Sequence, residues 1–155
     1  MDLYKYHSNP ETLDRYAERD QIVPERIYEI AKSGQKLTKT QEDALAKSPK
    51  YAFYYAFNVL KKPFPAGEAA IAKDEYFAYR YAFNVLKKPF PAGEAAIAKN
   101  THYAYQYAID VLKKPFPAGE AVIAKDANYA FEYAYNYALY VLKLPEEEAE
   151  KWGKK

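Results

Sequence analysis

Nineteen residues, YAFNVLKKPFPAGEAAIAK, stand at Tyr55 to Lys73 and return unchanged at Tyr81 to Lys99. Fifteen of them return again at Val111 to Lys125, with Val122 in the place of Ala96. The period is 26 residues. A unit this short cannot bury its own apolar face, so copies must stack and share one continuous core. That single feature restricts the chain to a repeat architecture.

The punctuation within each unit says which one. Ser48, Asp74, Asn100 and Asp126 occupy equivalent places, and each is a residue type whose side-chain oxygen accepts a bond from an unpaired N–H at a helix start. A helix of about fourteen residues is expected after each, stopped by Pro63, Pro89, Pro115 and Pro145, whose rings remove a donor and clash with the preceding turn. Pro-Phe-Pro-Ala-Gly then makes a tight connection to a short second helix, as over Glu68 to Lys73. Either the second proline or the glycine can begin it. Prolines at this density exclude a strand reading.

The flanks are less regular. Asn9, Pro10 and Glu11 form a helix start, and Asp14 to Ala17 can be laid over Tyr79 to Ala82 as a worn copy. Pro24 and Glu25 open a helix over Arg26 to Lys32 that Ser33 and Gly34 end. Gln41 to Lys47 aligns with Gly67 to Lys73. The last long helix carries four extra residues, read here as Tyr137 to Tyr140. Pro145 then opens a closing helix with Glu146, Glu147 and Glu148 in its first turn, where the helix dipole favours acids, and Trp152 and Gly153 finish it. The expectation is an all-α, right-handed solenoid of short α-hairpins forming one domain over 1–155. Residues 1–40 would be irregular and helical, 41–144 the tandem repeats, and 145–155 a capping helix.

Composition narrows the chemistry. With half the chain apolar, a core needs neither metal nor disulfide. The absence of cysteine removes thiol catalysis and thiolate metal sites. A charge of +2, from 23 basic and 21 acidic side chains, does not demand a polyanion. No apolar run approaches the roughly 20 residues of a membrane span, and no signal peptide is evident, so a cytoplasmic protein is expected. His7 and His102 lack metal-ligand spacing, and no glycine-rich phosphate loop or nucleophile elbow occurs. Glu68, Glu94 and Glu120 recur at the starts of short helices, where acids are ordinary dipole partners. A non-enzyme without cofactor or metal follows.

Comparison of the copies with one another separates three sets of residues. Tyr55, Tyr81, Tyr107 and Tyr133, each followed by alanine, are constant. They are either a stacking platform for bases or sugars or core residues whose hydroxyls meet carbonyls at the buried edge. At about 100° per residue, Tyr51, Ala52, Phe53, Tyr55, Ala56, Val59 and Leu60 spread over most of the helix circumference, which places the ladder in the apolar arc. Only a narrow polar strip remains. Alanines four apart, Ala52 and Ala56 in the first copy, would let neighbouring helices approach closely.

The strip is the second set, and it changes from copy to copy: Lys50, Tyr54 and Asn58; Tyr76, Arg80 and Asn84; His102, Gln106 and Asp110; Asn128, Glu132 and Asn136. It is the expected partner-binding face, with Tyr54, Tyr76, Arg80 and His102 as anchors, because interface energetics favour aromatic residues and arginine. Unselected drift on a solvated face is the competing account. The third set is Lys61, Lys62 and Phe64, then Lys87, Lys88 and Phe90, then Lys113, Lys114 and Phe116. Regular lysine pairs can track phosphates, or can neutralise the last helical carbonyls while the phenylalanine tucks under the loop.

At AIAKDEYFAYRYAFNVLKKPFPAGE, Ala70 to Glu94, the chain resembles tandem tyrosine- and alanine-rich helical repeats of bacteriophage and bacterial proteins, often without assigned activity. The resemblance covers roughly Gln41 to Lys143 and carries no site residues. Met1 to Thr40 departs from it. It implies a phage accessory protein in the host cytoplasm that binds or inhibits a host protein, such as a defence component. Two rivals are a single-stranded nucleic-acid binder using the lysine pairs and a protein that sequesters a nucleotide-like small molecule.

Overall fold

A computed structural model describes residues 23–125 and 130–153. The expected helix start at Asn9, the copy over Asp14 to Ala17, His7, the cap Asp126 and Asn128 lie outside them. The described residues form ten α-helices, and four of these continue as π-helix. They are α1, Pro24–Lys32; α2, Lys39–Leu45; α3, Pro49–Tyr54, continuing as π1, Tyr55–Leu60; α4, Pro65–Ile71; α5, Glu75–Tyr81, continuing as π2, Ala82–Leu86; and α6, Pro91–Ile97. Then come α7, Thr101–Gln106, with π3, Tyr107–Leu112; α8, Pro117–Ile123; α9, Ala130–Asn136, with π4, Tyr137–Val141; and α10, Glu146–Gly153.

The starts follow the expected capping. Ser48, Asp74 and Asn100 accept from the N–H groups of Tyr51, Phe77 and Tyr103. Thr38 and Gln41 form a reciprocal capping box on α2. Each short helix begins at the second proline of Pro-Phe-Pro, at Pro65, Pro91 and Pro117, where a fixed φ suits the first turn and the missing N–H costs nothing.

The long helices end earlier than the prolines suggest, at Leu60, Leu86 and Leu112. A residue before proline is pushed out of the α region, so the chain must leave the helix before Lys62, Lys88 and Lys114. It does so at Lys61, Lys87 and Lys113, all left-handed, with φ of 54°, 52° and 53°. In π1 the carbonyl of Ala56 receives the N–H groups of both Lys61 and Lys62, and Ala108 does the same for Lys113 and Lys114 in π3.

Each long helix packs on the short helix that follows it, long helices lie against long and short against short, giving the two layers of a helical-repeat solenoid. α1 pairs with α2 and rests on α3 and π1, so the repeating packing already includes Pro24–Lys32, ahead of Gln41. Within a hairpin the layers meet at a glycine. A Cβ on Gly67 would lie 2.7 Å from both the Ala52 Cβ and the Phe64 ring, and Gly93 and Gly119 meet Ala78 and Ala104 in the same way. The first alanine of each pair thus faces its own short helix, not the neighbouring long one.

Tyrosine locks one hairpin to the next. The Tyr81 hydroxyl accepts the Phe64 N–H at 2.9 Å and donates to Glu68 at 2.9 Å. Tyr107 does so with Phe90 and Glu94, and Tyr137 with Phe116 and Glu120. Tyr55 donates to Glu42 on α2, which identifies α2 as a short helix of the array. The fourth rung is therefore Tyr137, not Tyr133. The four extra residues lie before it, because it is the Tyr137 hydroxyl that accepts the Phe116 N–H.

Candidate functional site

The constant tyrosines serve the scaffold. Tyr81, Tyr107 and Tyr137 are fully buried, and each hydroxyl joins a loop amide to a glutamate. Burial is the main cause that raises their pKa values, and the neighbouring glutamate adds to it. Tyr55 is pushed up to about 12 by burial and by Glu42. A base-stacking platform has no access to these rings. Phe64, Phe90 and Phe116 are buried too, each edge-on to the tyrosine of its own hairpin.

The changing residues are more mixed than a solvated strip. Lys50, Asn58, His102 and Glu132 are exposed, while Tyr54, Tyr76, Arg80, Asn84, Gln106, Asp110 and Asn136 are half-buried. Several bond across the seam to an adjacent long helix. Asn58 donates to the Tyr28 hydroxyl at 2.8 Å, Tyr79 donates to Asp110 at 2.9 Å, and His102 Nδ1 lies 3.1 Å from the Tyr133 hydroxyl. Arg80 lies over the rings of Phe53 and Tyr76 and donates to the Tyr76 hydroxyl, while its Nε is buried without a hydrogen-bond partner. Tyr54 packs against Tyr28 and Phe77. Each seam thus carries its own pair, which distinguishes one copy from the next. With Tyr137 as the rung, the last copy contributes Glu132, Asn136 and Tyr140 to this face.

The lysine pairs lie along an open edge. Lys61, Lys62, Lys87, Lys88, Lys113 and Lys114 are all exposed. Among the described residues the ion pairs are Lys32 with Glu29 and Lys39 with Asp43, so none of these six is neutralised. The first lysine of each pair holds the left-handed backbone, which costs an L-residue about 1–2 kcal/mol and where glycine is the usual occupant.

Beside the lysines stand exposed apolar side chains. Phe57 and Phe83 are 36% and 44% exposed, and Ile109 and Leu139 hold the same place in the later copies. Phe57 stacks on Phe53, Phe83 stacks on Tyr79, and the Lys61 ammonium lies 5.7 Å from the Phe57 ring centre. Two clefts run between consecutive π-helices. One, of about 190 Å³, is lined by Phe57, Lys61, Asn84 and Lys87; the other, of about 540 Å³, by Phe83, Lys87, Asp110 and Lys113. Their linings correspond residue for residue one period apart, and Lys87 belongs to both.

The lysine edge was legible in the sequence; Phe57 and Phe83 beside it were not. Neither was singled out in the sequence, and the structure leaves both at the surface. A signal existed: at about 100° per residue Phe57 falls within about 20° of Lys50, beside the polar strip. Among the described residues no three His, Asp or Glu side chains are grouped to hold a metal, and no helix is long and apolar enough to cross a membrane. Compared with protein-family models, curated proteins and solved structures, the chain matches none.

Proposed function

We propose that this protein is a non-enzymatic scaffold that binds another protein along its layer of long helices. The division of labour among the repeats carries this reading. The constant tyrosine, with the loop amide and the glutamate that it meets, is spent on joining hairpins, as where the Tyr81 hydroxyl accepts from the Phe64 N–H and donates to Glu68. What is left to solvent is a surface that recurs with the array: the strip varies through Lys50, His102 and Glu132, and the edge repeats its lysine pairs beside Phe57 and Phe83. A solenoid presents such a surface as one extended face suited to a macromolecule. The resemblance to phage repeats makes a host protein the natural partner and its inhibition the natural outcome.

The test is affinity capture from bacterial lysate on the immobilised protein, washed at moderate and then high salt. One protein retained at high salt, and released when His102 and Lys50 are changed to alanine or when the edge lysines are changed, supports the scaffold. Turnover of a small molecule by the pure protein would sink it. The exposed lysine row favours a second reading, single-stranded nucleic acid, whose hallmark is affinity falling steeply with salt.

A further inference from the structure

Resting on the scaffold reading, we infer that the two clefts between π1, π2 and π3 form one continuous groove for an extended acidic polypeptide with an apolar side chain at every third residue. Four observations converge on that occupant.

The first is charge. Lys61, Lys87 and Lys113 rim the clefts, Lys62, Lys88 and Lys114 stand next to them, and among the described residues none forms an ion pair with a carboxylate. The second is backbone strain. Lysine is kept at three successive positions where glycine would relax the chain, and strain retained at an open surface points to a use for the side chain.

The third is the apolar series. Phe57 and Phe83 line the two clefts and stand partly in solvent, and Ile109 keeps the equivalent place apolar in the next copy. The fourth is the polarity of the cleft walls. Asn84 spends its amide N–H on the Arg80 carbonyl, and Asp110 accepts from Tyr79 through one oxygen. Each therefore offers a spare acceptor where it lines its cleft. A polypeptide has N–H groups to give to such acceptors, whereas a phosphodiester backbone has none.

Dimensions agree. Packed helices lie about 8–10 Å apart, and a polyproline-type chain advances about 9 Å in its three-residue turn, so every third side chain returns to the same face. Such a peptide crossing the π-helices would set one apolar side chain in each cleft and acids against the lysines on either side.

The probe is a fluorescein-labelled peptide of repeating Glu-Pro-Leu units, titrated with the full chain by anisotropy. Controls carry Lys for Glu or Ser for Leu, and an oligothymidylate of equal charge competes. The variant Lys61→Gly/Lys87→Gly/Lys113→Gly removes the ammonium groups while easing the backbone, and Phe57→Ser/Phe83→Ser removes surface-exposed rings. The Glu-Pro-Leu peptide should bind, and each variant should weaken it by about tenfold or more, the scale of a lost anchor, with no fall in the thermal midpoint of the glycine variant. The inference is overturned if no peptide binds, if the serine peptide binds equally, if oligothymidylate binds more tightly, or if the glycine variant keeps full affinity. A partner captured from lysate that survives the glycine substitutions would overturn the groove and leave the scaffold standing. A folded protein that captures nothing overturns the scaffold itself.

Discussion

The seam between hairpins and the edge of the long-helix layer are made from the same 26-residue unit, yet they solve opposite problems. At the seam, a buried hydroxyl such as that of Tyr107 meets both an amide and a glutamate, so that hydroxyl and the loop amide are paired where water cannot reach them. At the edge, Lys87 holds a left-handed backbone, Phe83 stands partly in solvent, and the ammonium groups form no ion pair among the described residues. Stability is concentrated where the copies touch, and strain and unsatisfied charge where they are open. The second is what the binding proposal rests on.

The largest effect should come from titrating the seam. Tyrosine in an unfolded chain ionises near 10, while burial raises Tyr81, Tyr107 and Tyr137 above that and pushes Tyr55 to about 12. Between those limits the folded state holds more protons than the unfolded one, so stability is full below pH 10 and falls as pH climbs through the folded values. Helical circular dichroism should collapse in that range together with a late wave of tyrosinate absorbance. A single wave near pH 10 with the helix signal intact would contradict the buried ladder.

Next in size is Tyr107→Ala, which removes a fully buried ring at about 3–5 kcal/mol. Tyr107→Phe keeps the ring and orphans the Phe90 N–H and Glu94, at about 1–3 kcal/mol. Chemical denaturation of the pair separates packing from hydrogen bonding, and equal losses would mean that the hydroxyl does nothing. Gly93→Ala follows. Its new Cβ would stand 2.7 Å from the Phe90 ring and 2.8 Å from Ala78, overpacking worth about 1–3 kcal/mol. The same denaturation experiment should find Gly34→Ala milder in contact terms, since nothing lies within 4 Å there and only its φ of 88° resists.

The seam was largely readable from sequence because its signals are local or repeated. Capping residues, Pro-Phe-Pro and the 26-residue period place every long and short helix to within a few residues, and the apolar arc predicts that the tyrosines are inside. Two things were not readable. The position of the four-residue insertion depends on which tyrosine, 133 or 137, reaches the Phe116 amide, and one helical turn displaced leaves the face pattern unchanged. The π-turns are likewise a choice of hydrogen-bond register that the same apolar residues permit. The changing strip was visible as a pattern, but its bonds to neighbouring helices, such as Asn58 to Tyr28, join residues about one period apart and have no local mark.

The smallest predicted effect is the one that most sharpens the contrast between seam and edge. If Lys87 is strained at φ of 52°, then Lys87→Gly should stabilise the protein by about 1 kcal/mol despite deleting a side chain, because glycine occupies that region without a Cβ clash. Part of the gain is offset by the greater freedom of glycine in the unfolded chain, so the thermal midpoint should rise by only about 2–4 °C. Lys88→Gly is the proper comparison. It is the adjacent lysine, equally exposed, and its φ is negative, so glycine there brings only the entropic loss and the midpoint should stay level or fall. Opposite signs from neighbouring lysines would separate the backbone term from the loss of charge, which both variants share. The same sign from both would mean that the left-handed turn is not strained, and would remove one of the reasons for assigning the lysine edge a binding role.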